Sequence, residues 1–236
     1  MTTLVACSHG TRSLAGRAVI ARIRAALAAA VPEAAVREAY VDVEQPEVGG
    51  VVARAAAAGP VVVVPLLLST GFHTGVDIAA AVGPHARARA AEPLGPHEAL
   101  AGVLLDRLAE VGDGDAGQRS GDHVVLAAAG STDPAATCAV EHTRSLLAAR
   151  LRCPVTIGFG AGGPPTIPQA VEAARRAGAR RVIAASYVLA PGHFAGLVRT
   201  AGADLVTAPL GAHPEVVAVA AARFRQACTA LVRSAG

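Results

Sequence analysis

The chain has 236 residues, a net charge of +3 and a hydrophobic content of 53%, which is enough to bury the core of one large domain or two small ones. All 21 basic residues are arginine, so chemistry that depends on a lysine, such as a Schiff base or a phosphate-loop lysine, is excluded. The small net charge and the six aromatic residues argue against nucleic-acid binding.

The cysteines and the N-terminal sequence bear on the compartment. No CxxC pair is present, and we predict reduced, mostly buried thiols at Cys7, Cys138, Cys153 and Cys228. The N-terminus runs directly into a strand pattern without the basic region of a signal peptide. No uninterrupted apolar run approaches the length of a membrane span. We therefore expect a cytoplasmic protein that makes no contact with membranes.

The first half alternates short apolar runs with stretches of helical spacing. Residues 60–68, PVVVVPLLL, are apolar on both faces, as parallel strands covered by helices are. In chain order, the predicted strands are 4–7, 35–43, 60–68 and 86–91, and the predicted helices are 13–31, 47–57, 73–82 and 97–111, with Ser13 as the first N-cap. A βαβα series of this kind predicts a parallel, doubly wound sheet.

A polar, glycine-rich segment then separates this series from a second one. Strands are predicted at 123–129, 154–159, 180–189 and 205–208, and helices at 134–150, 167–177, from about 194, and at 214–232. We therefore predict an N-terminal domain at 1–111 that carries the metal site, a linker at 112–121, and a duplicated C-terminal domain at 122–236.

Repeated motifs support the duplication. The sequence PLGPH at 93–97 recurs as PLGAH at 209–213, and Arg107 and Arg223 each lie ten residues beyond the histidine of their motif. His97 and His213 start matching helices, which favours a capping or packing role. The interval from His9 to His73 is 64 residues, as is that from Ala129 to His193. The sequence thus predicts two duplicated (βα)4 domains that face a cleft.

Two histidines lie where predicted strands end. His9 follows the first strand, and the adjacent Gly10 allows a sharp turn. His73 follows the third strand at the start of a helix. If the two strands are neighbours, both imidazoles meet at the carboxyl edge of the sheet and suit Fe²⁺, Co²⁺, Ni²⁺ or Zn²⁺. Taken singly, His9 is also consistent with a turn histidine bonded to the backbone, and His73 with an N-terminal helix residue that faces solvent.

Two acidic residues end the second strand. Asp42 and Glu44 are two positions apart, so they share a face of an extended strand, and one or both could complete a His₂-carboxylate metal site. The alternative is a solvated strand end before Pro46. In the second half, His193 matches His73, but the residue that matches His9 is Ala129, which cannot bind a metal. We therefore predict that this half has lost the metal site.

These segments resemble the CbiX/SirB family of class II chelatases over nearly the whole chain. The family's His-Gly-Ser/Thr-Arg sequence is present as residues 9–12, its Val-Pro-Leu-Leu-Leu run followed by a histidine as residues 64–73, and its acidic segment before proline as residues 40–46. The family has glutamate at the position of Asp42, one methylene longer. The length of this chain resembles the tandem form, whose halves mimic a dimer of the short form, so we expect a monomer with pseudo-twofold halves.

The resemblance implies a chelatase that inserts Fe²⁺ or Co²⁺, with Ni²⁺ as a further candidate, into sirohydrochlorin for siroheme or cobalamin synthesis, with the metal as substrate and no organic cofactor. His9 and His73 would bind the metal and act as catalytic bases, with Asp42 or Glu44 as third ligand. Arg12, Ser69, Thr70 and His193 would contact the tetrapyrrole.

Other functions fit parts of the same pattern. A cytosolic carrier of metal or tetrapyrrole would share the fold and differ only in releasing no metallated product. A nucleotide-dependent enzyme is disfavoured because neither a Walker A motif nor GxGxxG follows a strand. A solute-binding receptor would require an export signal.

Overall fold

In this computed structural model, residues 1–69, 71–113 and 119–233 are described, without the side chains of residues 72–74. In chain order the elements are β1 (Thr2–Ser8), α1 (Leu14–Ala30), β2 (Ala34–Tyr40), α2 (Val48–Ala58), β3 (Val61–Pro65), α3 (Phe72–Val82), β4 (Ala88–Ala90), α4 (Glu98–Val111), β5 (Asp122–Ala128), α5 (Pro134–Ala148), β6 (Val155–Phe159), α6 (Ile167–Arg176), β7 (Arg181–Tyr187), α7 (His193–Arg199), β8 (Leu205–Val206) and α8 (Pro214–Arg233).

The strands form two four-stranded parallel sheets with the same topology. One has the order β2-β1-β3-β4 and the other β6-β5-β7-β8. Helices alternate with the strands along the chain in both copies. The predicted α/β class, with two duplicated parallel sheets, is therefore confirmed.

Each sheet is buried because its strands are apolar on both faces. In the first sheet, Val5, Val61 and Val63 pack with apolar side chains of α2 and α3. Their sequence neighbours on the strands point to the opposite face, since side chains alternate along a strand. Leu4, Val62 and Val64 are fully buried there. This two-sided burial accounts for the continuous apolar runs in the sequence.

The chain divides into two compact units that are not consecutive in sequence. Unit 1 comprises Met1–Leu94 and Ala212–Gly236, and unit 2 comprises Gly95–Gly211. Within unit 1, α8 packs against α1, β3 and β4, and within unit 2, α4 packs against α5 and β7. The last helix of each repeat thus belongs to the unit built mainly from the other repeat. The division into domains 1–111 and 122–236 stays a prediction.

The placement of α4 in unit 2 and of α8 in unit 1, called the exchange of the last helices, explains the repeated arginines. Arg223 on α8 donates from Nε to the Pro93 carbonyl oxygen (3.0 Å) in unit 1, and Arg107 on α4 donates to the Leu210 carbonyl oxygen (3.0 Å) in unit 2. Each arginine therefore binds the Pro-Leu-Gly segment of the repeat to which it does not belong in sequence. The ten-residue spacing from histidine to arginine within each repeat therefore reflects contacts between residues 103 and 130 positions apart.

Several helix starts follow from the sequence. The Ser13 hydroxyl accepts the Gly16 N–H (3.1 Å), which confirms the predicted N-cap of α1. His97 Nδ1 accepts the Ala99 N–H (3.1 Å), and His213 Nδ1 accepts the Glu215 N–H (3.2 Å). The matching histidines are therefore capping residues, as the repetition suggested.

The cysteines are free, as predicted, but the expectation that most are buried is wrong. Only Cys7 is buried; Cys138 is exposed, and Cys153 and Cys228 are partly exposed. The difference arises because Cys7 lies on a central strand, whereas Cys138 lies on the outer face of α5. Among the helices described here, none has the length and apolar character needed to cross a membrane.

Candidate functional site

The predicted site residues of unit 1 gather at the carboxyl edge of its sheet. β1 lies between β2 and β3, with Cys7 paired to Pro65 in register. The first and third strands are neighbours, which is the condition under which the two histidines can meet. Because all three strands are parallel, the connections that follow them begin at one edge, which is where ligands bind in open α/β sheets.

His9 is the first residue after β1, and its side chain is exposed. The next residue, Gly10, has φ +96°, a conformation that favours glycine. A Cβ on Gly10 would lie 2.2 Å from the carbonyl oxygen of Asp42. Glycine is therefore required here for two reasons, and it brings the chain after His9 directly against the chain after β2.

Asp42 is held to His9 through the backbone. The Asp42 N–H donates to the His9 carbonyl oxygen (3.0 Å), and the Val41 N–H donates to the Ser8 carbonyl oxygen (3.0 Å). The Asp42 side chain is exposed, and its Oδ1 accepts the Val43 N–H (2.7 Å). A carboxylate thus lies in the connection next to the His9 turn.

The expectation that Asp42 and Glu44 share one face of a strand is wrong. β2 ends at Tyr40, and Val43 takes a left-handed conformation with φ 62°. A branched side chain disfavours this conformation, so the turn is strained at that residue. The turn sends the two carboxylates into different surroundings: Asp42 is exposed, whereas the Glu44 side chain is only 12% exposed.

Glu44 already has protein partners on both oxygens. Oε1 accepts the Thr11 N–H (2.8 Å), and Oε2 lies 2.9 Å from Arg17 Nε. Arg17 Nε also donates to the Thr11 carbonyl oxygen (2.9 Å). Glu44 therefore ties the connection after β2 to the turn that follows His9.

The other predicted residues of unit 1 belong to the connections after β1 and β3 or to the start of α3. His73 is the second residue of α3, directly after the first residue, Phe72, but its side chain lies outside the described part of the chain, as does Thr70. Ser69 is partly buried in the connection after β3, and Arg12 is exposed in the turn after β1. All of these residues belong to unit 1.

The equivalence of His73 and His193 is wrong by one residue. Gly71 and Gly192 are the N-caps of α3 and α7. The carbonyl oxygen of each accepts the backbone N–H of the residue four positions later (2.9 Å in both). His193 is the first residue of its helix, so it corresponds to Phe72, and Phe194 corresponds to His73. The equal 64-residue intervals hid this offset because the segment from β5 to β7 is one residue longer than the segment from β1 to β3.

The copy in unit 2 keeps the backbone of the site without its polar side chains. The Ala161 N–H donates to the Ala129 carbonyl oxygen (2.8 Å), as Asp42 does to His9. The ring of Phe194 lies against Gly160, since a Cβ on Gly160 would come within 2.9 Å of it. The positions of His9, Asp42 and His73 are thus occupied by Ala129, Ala161 and Phe194, which offer no side-chain ligand to a metal.

One residue beside the site was missed by the sequence analysis. Ser8 is 4% exposed, and its hydroxyl oxygen has no hydrogen-bond partner among the described residues. Its counterpart in unit 2 is Ala128, which makes the equivalent backbone contact with Gly160 (2.9 Å). A buried hydroxyl without a partner costs free energy, so its presence only in the copy with the histidines is a signal that comparison of the repeats could have found.

Within the described residues, no group of three or more His, Cys, Asp or Glu side chains could hold a metal ion. The His73 side chain lies outside that set, so the geometry of the pair His9 and His73 stays a prediction.

A family model describes both halves of the chain. The CbiX model matches residues 3–111 and again residues 123–227. The chain belongs to the CbiX family. Among curated protein sequences, none is significantly similar to this CbiX-family chain.

Solved structures share the fold of this CbiX-family chain. SirB from Bacillus subtilis with Fe³⁺ is 18% identical, with a TM-score of 0.78 over 97% of this chain and 96% of that one. SirB from Bacillus subtilis subspecies spizizenii in complex with cobalt is 18% identical, with a TM-score of 0.72 over 97% and 95%. CbiX described as the terminal enzyme of siroheme biosynthesis in denitrifying bacteria is 24% identical, with a TM-score of 0.65 over 95% and 99%.

The CbiX-family chain also has a cavity of about 650 Å³ in unit 2 that contains none of the predicted site residues. It lies at the amino ends of β5 and β6, the opposite edge from the connections discussed above, and Arg150 and Arg152 line it. Asp122 also lines it; burial raises the pKa of this carboxyl, but hydrogen bonds from Arg181 and the Arg119 amide, with the positive charges of both arginines, outweigh the burial and lower the pKa overall. This carboxylate is therefore a charged structural partner of Arg181.

Proposed function

We propose that this chain is a sirohydrochlorin chelatase that inserts Fe²⁺ or Co²⁺ into its substrate, using His9 and His73 of unit 1. The observation that carries the proposal is the backbone pairing of His9 with Asp42 at the carboxyl edge where β3 leads to His73, in a chain of the CbiX family. The solved relatives that contain Fe³⁺ and cobalt support a site for such metals.

We assign the third ligand to Asp42. Its carboxylate is exposed beside His9, whereas both oxygens of Glu44 bind Thr11 and Arg17. Two imidazoles and one carboxylate suit Fe²⁺, Co²⁺ and Ni²⁺ and leave coordination positions open. An open site holds the ion without enclosing it, which transfer to the ring requires.

The reaction exchanges two pyrrole protons for one divalent ion. As the ring nitrogens bind the metal, each of the two N–H groups must give its proton to a base. When the ion passes from an imidazole to the ring, the lone pair of that imidazole is released, and neutral imidazole accepts protons near pH 7. His9 and His73 would each take one of the two protons on the face of the ring that the metal approaches. No organic cofactor enters this scheme.

The substrate carries carboxylates at its periphery, which need cationic and N–H partners. Arg12 is exposed in the turn after His9, and Ser69 and Thr70 precede α3 in the neighbouring connection. We propose contacts from these three residues. His193 remains a proposed substrate contact, now on the basis of its exposed position at the start of α7 rather than an equivalence with His73. We also propose that one chain, with both repeats in place, is the active species in the cytoplasm.

Turnover separates this function from that of a carrier. The purified chain is mixed with a tenfold excess of sirohydrochlorin and with Co²⁺ or Fe²⁺, and the absorption spectrum is followed against a protein-free control. A chelatase converts many equivalents of the ring per chain faster than the control does. A carrier changes the spectrum by one equivalent at most, and that result would remove the proposal. Comparing the two metals in the same assay decides which ion is used faster.

A further inference from the structure

Glu44 is placed to act on a different part of the site from the metal ligands. Its carboxylate is 12% exposed, whereas the Arg17 side chain that it contacts at 2.9 Å is 45% exposed. The Nε–H of Arg17 donates to the Thr11 carbonyl oxygen (2.9 Å), and the ion pair with Glu44 is made at the same nitrogen, 2.9 Å from Oε2. Among the described residues, Nη1 and Nη2 at the other end of the guanidinium have no hydrogen-bond or ion-pair partner.

The second copy forms a turn of the same length without this arrangement, with Gly162 at the position of Val43. The connections from Tyr40 to Pro46 and from Phe159 to Pro165 have equal length and the same closing bond, from the first residue's N–H to the proline carbonyl oxygen (3.0 and 2.9 Å). In this alignment Glu44 corresponds to Gly163. Gly130 has φ +82°, close to the +96° of Gly10. The turn therefore forms in unit 2 without any carboxylate at this position.

The second copy also lacks the arginine. Counting from the matching glycines Gly10 and Gly130, Arg17 corresponds to Thr137, and Thr11 corresponds to Ser131. The ion pair is thus absent from the same copy that lacks His9 and Asp42. Its presence only beside the proposed metal ligands is consistent with a role in the reaction.

We propose that Glu44 is a positioning residue that holds Arg17 as the receptor for one peripheral carboxylate of the tetrapyrrole. This inference rests on the proposed function. A guanidinium presents a planar fork of N–H donors that matches a carboxylate, and it binds best when its orientation is set in advance. Glu44 and the Thr11 carbonyl set that orientation through Nε, so the fork of Nη1 and Nη2 is available to the substrate.

This role predicts a separation of two affinities. His9 is held by the backbone bond from Asp42, which has its counterpart in unit 2 without a carboxylate, so metal binding does not depend on Glu44. In the Glu44→Gln variant the amide oxygen still accepts the Thr11 N–H, but the ion pair with Arg17 is lost. We expect sirohydrochlorin to bind about tenfold more weakly, the effect of one charge-assisted hydrogen bond, and Co²⁺ to bind as in the wild type.

The experiment measures both affinities on the full chain. Metal-free sirohydrochlorin is titrated by fluorescence, and Co²⁺ alone by its visible absorption, so neither result depends on turnover. The variants are Glu44→Gln, Arg17→Gln and Arg17→Lys, the last of which keeps the charge but not the fork. Glu47→Gln is the matched control, because Glu47 is an exposed carboxylate three residues further on that makes no side-chain cap bond.

Weaker sirohydrochlorin binding in all three variants, with unchanged Co²⁺ binding and an unaffected control, is the expected result. Unchanged sirohydrochlorin binding would overturn the proposal, as would a parallel loss of Co²⁺ affinity in Glu44→Gln, which would make Glu44 part of the metal site. Thermal unfolding of each variant checks the fold, and Arg17→Lys keeps the test decisive if Glu44→Gln fails to fold. A wild-type chain that binds sirohydrochlorin but produces no metallated ring would contradict the proposed function alone.

Discussion

The Asp42 N–H donates to the carbonyl oxygen of His9 over 3.0 Å, so two proposed metal ligands from different connections are joined through the backbone. The contact requires the close approach at Gly10, where a side chain would collide with the Asp42 carbonyl oxygen. The position of His9 relative to Asp42 is therefore set by main-chain geometry rather than by side-chain packing.

Gly10→Ala tests this dependence. The new Cβ would lie 2.2 Å from the Asp42 carbonyl oxygen, and φ +96° is unfavourable for alanine. We expect the free energy of unfolding to fall by about 2 kcal/mol or more, because the strain of an alanine in the left-handed conformation adds to the steric overlap with the backbone. We also expect Co²⁺ affinity to fall. Denaturant unfolding and a Co²⁺ titration measure the two effects.

Gly130→Ala is the matched control, since its Cβ would lie 2.1 Å from the Ala161 carbonyl oxygen at φ +82°. It should destabilise the protein by a similar amount and leave Co²⁺ affinity unchanged, because unit 2 has alanine at the positions of His9 and Asp42. Equal losses of Co²⁺ affinity in the two variants would show that the metal site is not confined to unit 1.

The offset between His73 and His193 leads to a second prediction. Replacing His73 with alanine should abolish metal insertion, whereas replacing His193 should reduce it far less, since Phe194 and not His193 takes the place of His73 in unit 2. Initial rates of Co²⁺ insertion measure both variants. Equal loss in the two would return a metal-binding role to His193.

Much of the fold could be predicted because its signals are local. The run at 60–68 is apolar on both faces, and β3 at Val61–Pro65 is a central buried strand, as that pattern indicates. Ser13, His97 and His213 cap the helices that they precede, since capping depends on residues a few positions away. The adjacency of β1 and β3, by contrast, was only a condition of the histidine hypothesis, and the sheet order meets it.

Features that depend on tertiary contacts were not predictable in the same way. A left-handed valine at position 43 contradicts local preference, so the separation of Asp42 from Glu44 was missed. The partners of Glu44 lie 27 and 33 residues away, at Arg17 and Thr11, and no periodicity reports such contacts. The placement of α4 and α8 in the opposite units is reflected in the sequence only by the repeated Arg107 and Arg223 and the Pro-Leu-Gly segments that they bind.

The cysteines should differ sharply in reactivity. Burial raises the pKa of the Cys7 thiol to about 12, so at pH 8 it is protonated as well as inaccessible, and the thiolate is the reactive form. Cys138 is exposed. We expect alkylation by iodoacetamide at pH 8 to label Cys138 within minutes and Cys7 only in denaturant, as read by peptide mass spectrometry. Rapid labelling of Cys7 in the folded protein would contradict its position on a buried strand.

The exchanged helices predict how the chain tolerates division. Residues 1–111 lack α8, whose buried Val216, Val219 and Phe224 belong to the core. This fragment should self-associate or aggregate, because its sheet exposes an apolar face. Residues 1–94 joined to residues 211–236 restore α8 and regenerate the sequence Pro-Leu-Gly-Ala-His at the junction, so they should be better folded. Light scattering and thermal unfolding compare the two chains, and a stable monomeric 1–111 fragment would contradict the exchange.

The most direct test of the account is Co²⁺ binding and insertion by the wild type, His9→Ala, His73→Ala and the double variant, each first shown to unfold at the wild-type temperature. Because loss of a residue that merely orients a ligand lowers metal affinity about 10- to 100-fold, loss of either histidine should weaken Co²⁺ binding at least tenfold. Insertion into sirohydrochlorin should fall to the protein-free rate in all three variants. Wild-type insertion by either single variant would contradict the claim that His9 and His73 form the metal site.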